Sequence, residues 1–193
     1  MAHMEKIKLG ISTCLLGENV RYNGVHKLSS FLKNVLGKHV QYVPVCPEVE
    51  CGLGVPRESM RLEGNPDSPR LITSHTKQDM TELMLNWARK RLAQLKKEDI
   101  CGFIFKSDSP SCGIKRVKVY NEKCMPVDAG VGIFAKIFMK HFPFLPVEDE
   151  ESLHDLGLRK NFIDIKSYVG HDKIHLDNHL FAVLRNFTIE RIR

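Results

Sequence analysis

The sequence has 193 residues, of which 42% are hydrophobic and 27% charged, and its formal net charge is +6. This length suits one ordinary globular domain, and the composition is typical of a soluble protein with a buried core. No apolar stretch approaches the roughly 18 residues that a membrane-spanning helix needs, and the first residues lack the features of a signal peptide. We therefore expect a cytoplasmic protein, with a cloning remnant at residues 1–4.

The first predicted elements are strands that end at cysteines. A short strand at residues 6–11 leads into Ser12-Thr13-Cys14, and a second strand at residues 40–45 ends at Cys46. Between them, apolar residues at helical spacing predict a helix over residues 26–36. A stretch containing several Gly and Pro residues, 51–69, predicts a long loop.

The second half of the chain continues the alternation of helices and strands. Its predicted elements are a helix at 76–97, a buried strand at 100–105, a strand at 116–120, a helix at 131–142 entered through 128–130, a short strand at 144–147 and helical pieces at 148–168. Strands separated by helices predict β-α-β units. We expect a three-layer α/β fold with a mainly parallel, Rossmann-like sheet, helices on both faces and a helical C-terminal extension.

This pattern also predicts the domain organisation. Residues 5–168 form one domain, and residues 169–193 form a tail to which the sequence assigns no role. The Gly-x-Gly pairs lack the third glycine of a dinucleotide fingerprint, and no phosphate-binding Gly-Lys-Ser/Thr loop is present. We therefore expect neither a nucleotide cofactor nor a membrane partner.

Six cysteines occur in the sequence: Cys14, Cys46, Cys51, Cys101, Cys112 and Cys124. Without an export signal, they are better interpreted as core residues, reactive thiols or metal ligands than as disulfides. Cys14, Cys46 and Cys112 each follow the carboxyl end of a predicted strand, the edge at which parallel sheets bind ligands. Their spacing fits neither a zinc motif nor a ferredoxin, so a three-thiolate site and buried structural cysteines both remain open.

The other three cysteines have weaker cases. Cys101 lies within a predicted apolar strand, which favours a packing role over ligation. Cys124, in a predicted turn, is expected to have no functional role. Cys51 follows Cys46 by five positions, so both a packing role and a functional role are open.

Polar residues beside the three strand-end cysteines are candidates for chemistry. Glu48 follows Cys46-Pro47 and is suited to proton transfer, although it could equally cap the following turn. Ser109 lies three residues before Cys112; its hydroxyl could reach a bound substrate or serve only as a turn former. Lys106, at the end of the third predicted strand, could stabilise negative charge or pair with a carboxylate.

Five short motifs occur together in a recognisable order: residues 12–17 (STCLLG), 20–24 (VRYNG), 46–48 (CPE), 54–58 (GVPRE) and 106–113 (KSDSPSCG). With these motifs, residues 6–168 resemble the thiouracil desulfidase (TudS-like, formerly DUF523) family. The variant at residues 50–54 and the Glu-rich stretch after Val147 are most similar to relatives that carry a second carboxy-terminal domain and act on thiolated tRNA.

The resemblance implies a specific site and reaction. It implies a 4Fe-4S cluster held by Cys14, Cys46 and Cys112, with one iron that lacks a protein ligand and binds the substrate's sulfur. The family's acid/base carboxylate corresponds to Glu48 and its active-site hydroxyl to Ser109. The implied reaction replaces the thiocarbonyl sulfur of thiouracil or thiouridine, free or in tRNA, by oxygen without a redox change.

We further expect four residues of these motifs to contact the substrate: Arg57, Lys106, Ser107 and Ser111. Two alternatives to the desulfidase stay open. One is a non-catalytic iron–sulfur or metal-binding module that senses iron or oxygen or docks a partner, which ligation by Cys51 would favour. The other is a tRNA-thiolating enzyme, against which the missing ATP-binding loop argues.

Overall fold

A computed structural model of the chain describes residues 6–159, 161 and 162. The expected cloning remnant, the tail at residues 169–193 and the last part of the helical extension lie outside the described residues. Within the described part, eight strands are present: β1 (Ile7–Ser12), β2 (Val40–Val45), β3 (Met60–Glu63), β4 (Arg70–Thr73), β5 (Phe103–Phe105), β6 (Val117–Tyr120), β7 (Pro126–Gly130) and β8 (Val147–Asp149).

The first sheet is entirely parallel and has the strand order β2-β1-β5-β8. The register pairs Ser12 at the end of β1 with Val45 at the end of β2, and Ile11 with Ile104 of β5. All four strands therefore end at the same edge, which is where the loops carrying Cys14, Cys46 and Cys112 begin.

Helices cover both faces of this sheet. The helices α2 (Thr81–Glu98) and α3 (Ile133–His141) pack on one face, while short helical turns at Phe31–Val35 and Leu36–Lys38 cover the other. A four-residue helix, α1 (Pro47–Glu50), follows β2. The expected α/β fold, with a parallel sheet flanked by helices, is confirmed.

Alternation along β5 separates the two cores. Phe103 and Phe105 point to the α2/α3 side, where they contact Phe134 and Phe138 of α3, whereas Ile104 joins the opposite core. All five side chains are fully buried. Truncating such an aromatic side chain to alanine typically costs about 3–5 kcal/mol, so this cluster anchors the strand that leads into the Lys106–Cys112 loop.

The prediction of a long loop at residues 51–69 is wrong in part, because this stretch contains strand β3 of a second sheet. Its strand order is β4-β3-β6-β7 with mixed directions, and β3 pairs antiparallel with β4 and parallel with β6. The alternation in β3 spans only four residues, with Leu62 buried, which is too short to stand out against the surrounding Gly and Pro. Residues 128–130 likewise belong to strand β7 rather than to a helix entry.

The helix expected over residues 26–36 is present in the second part of that range and absent from residues 26–29. Only Phe31–Val35 and Leu36–Lys38 are helical, because earlier amides bond elsewhere: Lys27 N–H donates to the Cys14 carbonyl (2.9 Å) and Ser29 N–H to that of Leu15 (3.0 Å). Tertiary hydrogen bonds to the Cys14 turn thus replace the local helical ones.

Two boundaries near the C-terminal end also differ from expectation. The strand predicted at residues 144–147 is β8, Val147–Asp149, because Val147 pairs with Phe103. The helical pieces predicted at 148–168 begin with a single turn at Ser152–His154, and residues 156–159 are helical. None of the described helices is long and apolar enough to cross a membrane.

Candidate active site

A cavity of about 490 Å³ opens at the carboxyl edge of the parallel sheet. Its volume is within the roughly 300–1,000 Å³ that small-molecule sites occupy. Three groups of residues line it: those after β1 and β2 (Ser12, Thr13, Cys14, Val45, Cys46, Pro47, Glu48), those after β5 (Lys106, Ser107, Asp108, Ser109, Pro110, Cys112), and an outer wall (Val20, Arg21, Tyr22, Lys27, Arg57, Ser59, Met60, Glu151).

Cys14 is fixed by the turn that follows β1. It lies in a single helical turn, Thr13–Leu16, which ends at Gly17 in the left-handed conformation (φ 90°). The Cys14 carbonyl accepts hydrogen bonds from Gly17 and Lys27. Burial, reinforced by the neighbouring Cys46, raises the pKa of the Cys14 thiol to about 11, although the Lys106 ammonium acts in the opposite direction.

Cys46 begins helix α1, and amide groups converge on its sulfur. The N–H groups of Val49 and Glu48 donate to the thiolate form, which partly offsets the burial that raises the pKa of Cys46. The Cys46 N–H donates to Glu50 Oε1 at 2.8 Å, and Arg91 of α2 pairs with Glu50 Oε2 at 3.3 Å. The long helix therefore braces the Cys46 turn.

Cys112 is held by the loop that follows β5. The Ser109 hydroxyl oxygen accepts the N–H groups of Ser111 (3.3 Å) and Cys112 (3.1 Å), and the Ser12 hydroxyl bonds the Cys112 sulfur. Burial raises the pKa of the Cys112 thiol well above its usual range. Gly132 backs this loop so closely that an added Cβ would lie 2.5 Å from the Ser111 carbonyl carbon.

The three thiols interact electrostatically, since Cys46 raises the pKa of Cys14, and both Cys46 and Cys14 raise the pKa of Cys112. Buried, mutually repelling thiolates are stabilised when they bind a soft cation, and cysteine thiolates are the usual ligands of iron–sulfur clusters. No three His, Cys, Asp or Glu side chains among the described residues are grouped for a single metal ion. Three cysteine thiols that line one cavity are the kind of donor set that iron–sulfur clusters use.

The remaining cysteines lie outside the cavity lining. The Cys51 thiol donates to the Glu48 carbonyl at 3.2 Å and packs against the core. Cys101 is buried, as expected, but precedes β5 rather than lying within a strand. Cys124 is exposed on the β6–β7 turn, 3.7 Å from an Arg61 nitrogen.

Glu48 faces the cavity within a network of charged and hydroxyl donors. Its Oε2 accepts Nε (2.8 Å) and Nη2 (2.5 Å) of Arg57, and its Oε1 accepts the Ser111 hydroxyl at 2.7 Å. Ser111 is fully buried and does not line the cavity, whereas Arg57 does. Both carboxylate oxygens are therefore anchored by the protein.

Lys106 follows β5, lies close enough to Cys14 to affect its pKa, and is paired with Glu150. Its ammonium also donates to the Ser107 hydroxyl (2.7 Å) and carbonyl (3.0 Å). Glu150 in turn accepts the Ser107 N–H and hydroxyl, both at 2.8 Å. Of the two roles the sequence left open for Lys106, pairing with a carboxylate is observed.

Several cavity residues were missed as candidates: Ser12, Arg21, Tyr22, Lys27, Asp108 and Glu151. Ser12, Arg21, Tyr22 and Asp108 stand inside the recognisable motifs, so their position was a usable signal. Glu150, which pairs with Lys106 from 44 residues away, gives no local signal because only the pairing of β5 with β8 brings the two together.

The fold and the cavity define an α/β protein with three cysteine thiols, a carboxylate and hydroxyl groups around one pocket. Residues 9–150 match the model of the 2-thiouracil desulfurase family, and the chain belongs to this family. The resemblance seen in the sequence is thereby confirmed.

Two relatives support this membership. The protein YbbK of Bacillus subtilis (strain 168) is 34% identical over 108 residues, which cover 53% of this chain and 71% of YbbK. A solved structure, titled as the 4Fe-4S-dependent thiouracil desulfidase TudS, matches with a TM-score of 0.61 at 30% identity, covering 81% of this chain and 98% of TudS.

Proposed function

We propose that this protein is a 4Fe-4S-dependent, non-redox desulfidase that converts the C=S group of thiouracil or thiouridine, free or within tRNA, to C=O. The observation that carries this proposal is the convergence of Cys14, Cys46 and Cys112 on one cavity that also contains Glu48 and Ser109. Family membership and the 4Fe-4S dependence of the TudS relative support it.

The cavity supports a cluster with three protein ligands. Cys14, Cys46 and Cys112 line it, while Cys51, the nearest further cysteine in sequence, points its thiol at the Glu48 carbonyl. A cluster held by these three thiols would have one iron without a protein ligand, available to the soft sulfur of a substrate. When bound, the cluster supplies a Lewis acid that polarises the C=S bond.

The proposed reaction is a hydrolysis. The oxygen of water forms a bond to the thiocarbonyl carbon, the C–S bond breaks, and sulfur leaves as sulfide with the protons of water. Carbon, oxygen and sulfur keep their oxidation states, so no electron donor or nucleotide is consumed. A redox-inactive path of this kind suits a cavity lined by acid/base and hydrogen-bonding groups.

Each polar residue has a role in this proposal. Glu48 accepts a proton from the attacking water, because its carboxylate faces the cavity near the thiols. Ser109 lines the cavity and directs its hydroxyl hydrogen to the substrate, since its oxygen already accepts two amides. The charge of the Lys106 ammonium stabilises the negative charge that develops on the leaving sulfur, and Ser107 helps to hold that ammonium.

Anaerobic reconstitution with iron and sulfide, followed by a turnover assay, tests the proposal. We expect cluster absorption near 400 nm and sulfide release from 2-thiouracil, 4-thiouracil or thiouridine without ATP or reductant, with the oxygen of ¹⁸O-water in the product. Thiolated tRNA, assayed beside the free bases, identifies the physiological form. A stable cluster with no release from any of these substrates would contradict the desulfidase and support a binding module.

A further inference from the structure

We propose that Arg57 is a positioning residue: it holds the Glu48 carboxylate in place and affects the reaction only through Glu48. This inference rests on the proposed function, in which Glu48 handles the proton of water. It assigns Arg57 a different task from the substrate contact that its motif first suggested.

The arginine and the carboxylate form an asymmetric ion pair. Nε and Nη2 of Arg57 both donate to Oε2 of Glu48, at 2.8 and 2.5 Å, so one oxygen takes both bonds. Oε1 is left for the Ser111 hydroxyl at 2.7 Å. Donors on both oxygens fix the rotation of the carboxylate plane as well as its position.

The guanidinium has little capacity left for a substrate. Nη2 also donates to the Val20 carbonyl (2.9 Å), and Nη1 donates to the Gly54 carbonyl (3.1 Å). All three nitrogens of Arg57 therefore have protein partners, and its side chain is only 8% exposed. These contacts use four of the five N–H donors of the guanidinium, which leaves one N–H of Nη1 for any other ligand.

These contacts join three segments around the cavity. Arg57 links the turn after β2, through Glu48, to the loop after Cys14, through Val20, and its own N–H donates to the Tyr22 carbonyl at 2.8 Å. Val20 O also lies 3.9 Å from the Cys46 sulfur. The arginine therefore sets where the carboxylate stands relative to the thiols.

A positioning role and a substrate-binding role change different kinetic constants. Loss of a substrate ligand raises KM, whereas loss of orientation in the catalytic carboxylate lowers kcat with KM nearly unchanged. A misplacement of about 1 Å can cost up to about 100-fold in rate, because proton transfer depends steeply on geometry.

A double-mutant cycle on the reconstituted enzyme tests the proposal, with sulfide release from the thiouracil that the wild type converts. We expect Arg57→Met to lower kcat by about 10- to 100-fold with KM within about threefold, and Arg57→Lys to recover part of the loss. In a Glu48→Gln background, Arg57→Met should cost nothing more. Arg61→Met, which removes the similar pair with Glu63 on the second sheet, is the control and should leave kcat unchanged.

Other results would distinguish a wrong role for Arg57 from a wrong role for Glu48. A raised KM with unchanged kcat, or additive losses in the cycle, would overturn the positioning role while leaving Glu48 in place. Full activity of Glu48→Gln alone would instead overturn the proposed acid/base residue. Independently of turnover, crystals of Arg57→Met should show the Glu48 carboxylate rotated away from its present position; an unmoved carboxylate would refute the inference, and iron content and Tm check that each variant folds.

Discussion

Two polar networks border the cavity, each near a different thiol: Glu48 with Arg57 affects the pKa of Cys46, and Lys106 with Glu150 affects the pKa of Cys14. The cavity-facing group is the acid in the first pair and the base in the second. In the first network the carboxylate of Glu48 faces the cavity and is held by Arg57 and Ser111. In the second network the ammonium of Lys106 faces the cavity and is held by Glu150, which does not line it.

A single cavity can therefore contain the Glu48 carboxylate and the Lys106 ammonium without the two groups pairing with each other. Each cavity-facing charge already has its own partner, so its orientation is set before any substrate arrives. In the proposed reaction, Glu48 acts on water and Lys106 on the leaving sulfur.

The largest loss of activity is expected when one of the three thiols that line the cavity is removed. Cys112→Ala removes one of three cluster ligands, so sulfide release should fall to the level of a protein-free control and iron binding should drop sharply. The matched variant is Cys124→Ala, because this exposed cysteine lies away from the cavity. Full activity of Cys112→Ala would refute the ligand set.

The second largest loss of activity is expected when the Glu48 carboxylate is replaced. Glu48→Gln keeps the shape and the hydrogen bond from Ser111 but cannot accept a proton, so kcat should fall by about 10²–10⁴-fold. Iron content and the absorption of the cluster should stay at the wild-type level. Glu63→Gln, in the ion pair with Arg61 on the second sheet, serves as the control. A loss of cluster in Glu48→Gln would instead indicate a structural role.

Much of this arrangement could be predicted from the sequence. The features that could not be predicted were missed for physical reasons. The three strand-end cysteines were predictable because the carboxyl ends of parallel strands share one edge, and the structure brings them to one cavity. Strand β3 was missed because four residues carry little periodicity. The partner of Lys106 was missed because ion pairs across 44 residues depend on strand order.

Changes to Lys106 and its partner Glu150 should reduce activity less than the change at Glu48. We expect Lys106→Met to lower kcat/KM by about 10- to 100-fold, since a preorganised cation near the leaving group is removed. Glu150→Gln keeps one acceptor oxygen for Ser107 and leaves the ammonium present, so its kinetic loss should be smaller. Glu150→Gln also leaves the largely buried charge of Lys106 without its counter-ion. The free energy of unfolding should therefore fall by about 2 kcal/mol, which urea denaturation of the apo protein measures. An equal kinetic loss in both variants would mean that the pair acts as one unit.

The smallest effect is expected at Cys51. Its thiol packs against the core and donates to the Glu48 carbonyl outside the cavity lining. Cys51→Ala should therefore retain the cluster and keep turnover within about twofold, with a stability loss of about 1 kcal/mol. Electron paramagnetic resonance of the reduced cluster checks this, and a changed signal with lost iron would make Cys51 a ligand.

The central claim is that three thiols, and no fourth protein ligand, hold a cluster at the carboxyl edge of the parallel sheet. Crystals grown from anaerobically reconstituted protein, with anomalous data collected at the iron edge, test it most directly. The account predicts iron density bonded to the sulfurs of Cys14, Cys46 and Cys112, with one iron facing Glu48 and lacking any protein ligand. Iron bonded to Cys51, or located away from this cavity, would contradict it.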